Sequence, residues 1–343
     1  MDLKNNRLTQ GLEREQLKAS FNVKGDNIII AIAYGDEHPV YLRARALWEF
    51  YSLYYPNVEI IFVRESKKLK NGEIQHNGYD LLIGVEDKYE SNRSMQQGFV
   101  ETGIWSVDEN KRMTHRTMIF CDYLLRRYNN PFYLYANTIT SVVDFRGVLS
   151  LLHHLPKAGC VAGFPIFLPT GFNFVSGSSF LFSRDVIQLM RDRYIRDHEH
   201  TQHNADVWLG IVLADVPRTP LPIFNFTKPR GPRCGLDEVR SLVRTLLREG
   251  HFHFRVKTTS DEEGLGARED VDPWIMLAIM EEILANLPSP EANLKLLHKV
   301  GRAFNAVDGV IPSIMEEMPF NTPRDFPIND SEAQIIYPHL FSA

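Results

Sequence analysis

Only three cysteines, Cys121, Cys160 and Cys234, occur in 343 residues, an odd number without CxxC spacing. That pattern argues against a disulfide framework and a structural zinc site, and it suits a reducing compartment. Positive charge is not in excess either. The formal net charge is −5, so the broad basic balance that accompanies nonspecific binding to a phosphate backbone is missing, although a local basic groove is still allowed. No run approaches the ~18 uncharged apolar residues of a membrane span. The opening MDLKNNRLTQGLEREQLKAS lacks the apolar centre of a signal peptide. A cytoplasmic protein with no membrane span is the expectation. GxGxxG and GxxxxGK[ST] are also absent, so dinucleotide and P-loop sites lack their fingerprints. No internal repeat or low-complexity linker breaks the chain.

What is present is ordinary globular composition, 44% hydrophobic and 24% charged, with apolar runs that alternate between two periods. Asn27 to Ala33 reads as a buried strand, Tyr41 to Tyr55 as a helix stopped by Pro56, and Val58 to Val63 as a second strand. A polar turn at Lys67 to Asn77 precedes a strand at Asp80 to Val85, then a helix from Asp108 to Arg127 and a strand at Pro131 to Tyr135. Val142 to Leu155 reads as a helix. Strands follow at Cys160 to Gly163 and Phe172 to Phe182, the latter closed by Ser183, whose hydroxyl suits the cap of the next helix. Helices at Ala205 to Ala214 and Leu236 to Arg248, an alternating strand at His251 to Lys257, and helices at Pro273 to Leu287 and Pro290 to Phe304 complete the pattern. The fold class is α/β, a mostly parallel sheet flanked by helices. The division is a lead-in at residues 1–26, one domain at 27–260, and a C-terminal helical extension and tail at 261–343.

Ligands of open α/β sheets bind at the carboxyl ends of strands. After the first strand come Tyr34, Gly35 and Asp36, with Arg43 and Arg45 in the next helix, a backbone approach and guanidinium groups suited to phosphate. A tight turn followed by a solvated helix face is the competing account, and on these residues alone the preferred one. After PFYLY stand Asn137, Thr138, Thr140, Ser141 and Asp144, a ligand-facing strand end or a structural turn. Ser176-Gly177-Ser178 interrupts an aromatic strand, the mark of a close ligand or of a bulge. Asp206 begins a helix, with Trp208 beside it, and is either a general base or a helix N-terminal charge. Period two sets His251, His253, Arg255 and Lys257 on one strand face, with Arg268 after a glycine-containing loop. A solvated edge strand is the competing account of that face.

The order of these pieces resembles the fringe and β-1,3-galactosyltransferase group, whose nucleotide-sugar fold is called GT-A. YLRARALWEFYSLYYPNVEIIFV is similar to that group's first helix and second strand, and NGYDLLIGVEDKYESN, with Asp80, Asp87 and Tyr89, to its acidic segment. FNFVSGSSFLFSRD resembles its small-residue strand, and NADVWLG its Glu-Asp-Val-x-x-Gly element with Ala205 in place of the Glu. The resemblance implies a GT-A-like domain acting as a glycosyltransferase, with a nucleotide-diphosphate sugar as donor and Asp206 as the base of an inverting transfer. It implies donor binding by Tyr34, Gly35, Arg43, Arg45, Asp87, Asn137, Thr138, Arg255, Lys257 and Arg268, and acceptor binding by Ser176, Gly177, Ser178 and Trp208. A glycan is the default acceptor; a lipid-linked sugar, a protein and a hydroxylated nucleic-acid base stay open. The family's metal-binding Asp-x-Asp falls near Tyr135 to Thr138, where this chain reads Tyr-Ala-Asn-Thr. A divalent cation, Mn²⁺ or Mg²⁺, wants carboxylate oxygens. Either Asp144 and a histidine substitute, or Arg255, Lys257 and Arg268 neutralise the leaving diphosphate without a metal, which is the preferred expectation. A non-catalytic carbohydrate- or nucleotide-binding module on the same fold is the alternative.

Overall fold

The computed structural model describes residues 28–34, 39–52, 54–55, 58–85, 107–167, 173–196, 205–227, 236–257, 272–287, 290 and 294. Its first strand, β1 (Ile28–Ala33), shows why the sheet has two covered faces. Alternate side chains leave opposite sides of a strand, and Ile28, Ile30 and Ile32 enter one apolar cluster while Ile29 and Ala31 enter another. A strand buried on both faces reads as the unbroken apolar run seen in the sequence.

β1 lies between β2 (Val58–Glu65) and β5 (Tyr133–Thr138), parallel to both. β4 (Asp80–Ile83) runs parallel to β2 and carries β3 (Ile74–Asn77) as an antiparallel edge. On the other side, β8 (Asn173–Ser183) is antiparallel to β5 and to β7 (Val161–Phe167), and β9 (Arg218–Pro220) is parallel to β7. The result is an 8-stranded sheet in the order β3-β4-β2-β1-β5-β8-β7-β9, mostly parallel and flanked by helices. A smaller 3-stranded sheet has the order β10-β11-β6, from β10 (Ile223–Thr227), β11 (His253–Lys257) and β6 (Ser141–Val143).

Helix α1 (Pro39–Ser52) covers one face with Leu47, Trp48, Phe50 and Tyr51. Its rings meet Phe145 of α3 (Phe145–Leu152), the Tyr51 and Phe145 centroids lying 4.7 Å apart. Helices α2 (Val107–Arg127), α4 (Arg184–Arg196) and α5 (Ala205–Val212) supply Cys121, Leu124, Ile187, Met190 and Leu209 to the other face. Each such side chain removed from water is worth about 1.5–3 kcal/mol. Helix α6 (Leu236–Arg248) packs on α7 (Asp272–Ala285), which also touches α1, β6 and β11. α7 is apolar almost all round because it is surrounded, and its buried Glu282 is held by Arg244 through two bonds of 2.8 and 2.9 Å. Expected within an extension, α7 is part of the first core cluster.

Several elements differ from the sequence reading. Val142 and Val143 belong to β6, and the helix begins only at Phe145, behind Asp144, whose Oδ1 accepts from Arg146 N at 3.0 Å. Part of the polar turn at Lys67 to Asn77 is β3. Strand β9 carries too few residues for a period to be read, and β10 is a strand the sequence reading does not include. Ser183 Oγ is engaged by Cys160 N at 3.0 Å and Asp185 Oδ1 at 2.5 Å. His251 precedes β11, and β11 is the centre of its sheet, not a solvated edge. The lead-in, most of the helix expected at Pro290 to Phe304, and the tail lie outside the described residues.

Candidate functional site at the carboxyl ends of the parallel strands

β1 connects through α1 to β2 on one side, whereas β5 lies on the other, so strand order reverses between β1 and β5. The crevice beyond the carboxyl ends at such a reversal is where open α/β sheets take ligands. Ala33 and Thr138 are partners in register at that edge, and Tyr34 follows. β8 runs back against β5 with Asn137 opposite Ser179, so Ser178, Gly177 and Ser176 lie at the carboxyl end of β5 and beyond it.

There Asp206, in the first turn of α5, accepts a bond from Gly177 N at 3.1 Å through Oδ2, and Val207 N reaches its Oδ1 at 2.9 Å. A Cβ on residue 177 would lie 3.3 Å from Asp206 Oδ2, so the absent side chain lets strand and carboxylate meet. Ser176 and Ser178 are buried with their hydroxyls 3.0 Å apart, which leaves Gly177 as the exposed residue of the three. Trp208 does not join them. Two residues along a helix turn a side chain by ~200°, and Trp208 is 1% exposed in the core, edge-on to Tyr194. It offers an acceptor no surface, which corrects its assignment.

The small sheet adds the basic groups. Ser141, Arg255 and Asn225 align across β6, β11 and β10, and Arg255 and Lys257 are both half-buried. Asn225, missed in the sequence, carries an oxygen without a hydrogen-bond partner among the described residues; the alternation of IFNFT was its signal. Asn137, 3% exposed, also has an Oδ1 without a partner among the described residues, while its Nδ2 donates to Tyr135 O at 3.1 Å. His253 is wholly buried, with Nδ1 on the Tyr135 hydroxyl and Nε2 2.9 Å from Ser141 Oγ, which lies 3.1 Å from Thr138 Oγ1. Burial, with the nearby Arg255 charge second, lowers the imidazole pKa to about 3. His253 is therefore a neutral strut between the two sheets, not a phosphate ligand.

The two arginines of α1 part company. Arg43 is buried, and Arg45 holds Asp80 by bonds of 2.7 and 2.9 Å and Glu49 by one of 2.7 Å, its guanidinium 5.0 Å from the Tyr34 ring. Tyr34 itself is 7% exposed against Phe62. Gly35, Asp87 and Arg268 lie outside the described residues.

Asn137 and Thr138 bring no carboxylate to the end of β5, and Asp144 is taken up by Arg146 and by the Tyr51 hydroxyl at 3.2 Å. Among the described residues no group of three or more His, Cys, Asp or Glu side chains is gathered to hold a metal ion. Among the described residues, too, no helix is long and apolar enough to cross a membrane. No family model matches the chain, and no curated protein matches it.

Proposed function

We propose that the chain is a glycosyltransferase of the GT-A kind, moving a sugar from a nucleotide-diphosphate donor to an acceptor hydroxyl. The observation that carries the reading is the meeting of Asp206 with Gly177 beside the switch between β1 and β5, with Arg255 and Lys257 on the adjoining small sheet. In this reading the Asp206 carboxylate takes the acceptor's proton while that oxygen bonds to the anomeric carbon. The bond from that carbon to the phosphate oxygen breaks, and its electron pair leaves with the diphosphate. Arg255 and Lys257, with Arg268, offset the charge that develops there. Asn137 and Thr138 border the donor, and Ser176 to Ser178 border the acceptor. A glycan is the expected acceptor, and cytoplasmic placement is part of the proposal.

Asp206→Asn keeps the size and one acceptor oxygen, so one of the two backbone donors, Gly177 N or Val207 N, loses its partner as the base is removed. Transfer and donor hydrolysis are expected to fall at least ~100-fold, the usual yield of a positioned base, while loss of one such bond costs only about 1 kcal/mol of stability. Unchanged turnover removes Asp206 from the chemistry. Nucleoside diphosphates that raise the melting temperature equally with Mn²⁺ and with chelator support charge neutralisation by side chains, and stabilisation wholly dependent on Mn²⁺ overturns it.

A further inference from the structure

Four side chains form a hydrogen-bonded row from the core to the carboxyl edge: Tyr135 OH, His253, Ser141 Oγ and Thr138 Oγ1. A neutral imidazole has one donor nitrogen and one acceptor, so the row can run in either direction but not both. Its inner end decides. Tyr135 is 0% exposed, and His253 Nδ1 is the partner its hydroxyl meets. If Nδ1 carried the hydrogen, the phenolic proton would be buried with no acceptor among the described residues, a cost that suppresses that arrangement tenfold or more. Tyr135 therefore donates to Nδ1, which leaves the hydrogen on Nε2 to go to Ser141 Oγ. Ser141 is 1% exposed and has Thr138 Oγ1 as its remaining partner, so its own proton goes there. Thr138 is half-buried at the end of β5, and because it accepts from Ser141 its own proton is not spent within the row.

We propose that Thr138 donates a hydrogen bond to a phosphate oxygen of the bound ligand, its proton kept available by Tyr135 through His253 and Ser141. In the reverse order Thr138 would spend its proton on Ser141 and could only accept; in this order it keeps a proton to donate, beside the strand position of Arg255, which is paired in register with Ser141. An oxyanion is what such a donor next to a guanidinium-bearing strand selects. The ligand half of the inference rests on the donor-diphosphate reading above; the proton order does not.

Nitrogen-15 NMR of the full chain reads the tautomer, and calorimetry with inorganic pyrophosphate reads the donor. His253 is expected with Nε2 protonated and Nδ1 bare, and Tyr135→Phe is expected to bring in the other tautomer. Thr138→Val should weaken pyrophosphate by about 10-fold or more, as loss of a hydrogen bond to a charged group does, while Thr138→Ser restores it. Tyr135→Phe should weaken it less, and should add nothing to Thr138→Val. A wild-type imidazole protonated on Nδ1 overturns the proton order. The expected tautomer with unchanged pyrophosphate affinity in Thr138→Val overturns the donor role and leaves the transferase reading standing. Failure of wild type to bind pyrophosphate or any nucleoside diphosphate sinks the phosphate site and the transferase reading together.

Discussion

Acid should unfold this protein partly through one side chain. Free histidine titrates near 6.5, and burial beside Arg255 lowers His253 to about 3 in the folded chain. The unfolded state therefore binds a proton that the folded state refuses, so stability is complete above the free value and is lost as pH falls toward the folded one. Each pH unit inside that window removes about 1.4 kcal/mol, which is about 2 kcal/mol between pH 7 and pH 5 and about 4–5 kcal/mol if followed to pH 3. His251, lowered by burial to about 4, pulls in the same direction. The groups facing His253 are Tyr135, which stays neutral in this range because burial raises its pKa well above 10.0, the Ser141 hydroxyl and the fixed Arg255 charge. Urea denaturation of wild type and His253→Gln at half-unit steps from pH 7 to pH 5 isolates the effect, since the carboxylates and His251 titrate in both. Glutamine loses some of the two-sheet bridge, so the variant starts lower by about 1–3 kcal/mol, and the gap should narrow by about 2 kcal/mol at pH 5. Parallel pH profiles would refute a neutral buried imidazole.

Two further outcomes separate structural from functional readings. Arg45→Ala removes the paired bonds to Asp80, the bond to Glu49 and the contact with Tyr34, and should cost about 1–3 kcal/mol in urea unfolding; a tenfold loss of nucleotide affinity without loss of stability would return Arg45 to the ligand. Gly147→Ala gains up to about 1 kcal/mol of helix propensity, but its Cβ would stand 2.3 Å from Phe252 Cβ. Net destabilisation of about 1–2 kcal/mol is expected, and a raised urea midpoint would contradict that packing.

The parts of the fold legible in the sequence are those whose pattern is local. An isoleucine run makes β1 whatever pairs with it, and the spacing of Leu47 and Phe50 marks the apolar side of α1. β6 is different. Its three residues pair with His253, Phe254 and Arg255, more than a hundred positions later, and Val-Val ahead of an amphipathic helix carries no local sign that the helix starts after Asp144. The small sheet as a whole was hidden for this reason, although its central strand was read from the alternation of HFHFRVK. That alternation also misled, because period two reports a shared face without saying what covers it. His253 and Arg255 share a side, yet the first is sealed against Tyr135 and the second is half-buried.

The same limit governs the site. Asp206 and Gly177 lie 29 positions apart, and each was singled out from chain order and residue type alone; what joins them is the antiparallel return of β8 past the end of β5. Trp208 was carried along by its nearness in sequence to Asp206, and helical rotation sends it to the core. Thr138 shows the opposite case: residue type offered a hydroxyl, while the direction of its proton depends on a tyrosine three positions earlier whose side chain enters the core from the same strand. A hydroxyl's chemistry at a strand end is therefore set by the burial of its remote partners, and substitution of Tyr135, which touches no solvent, is the sharpest probe of what Thr138 presents to a ligand.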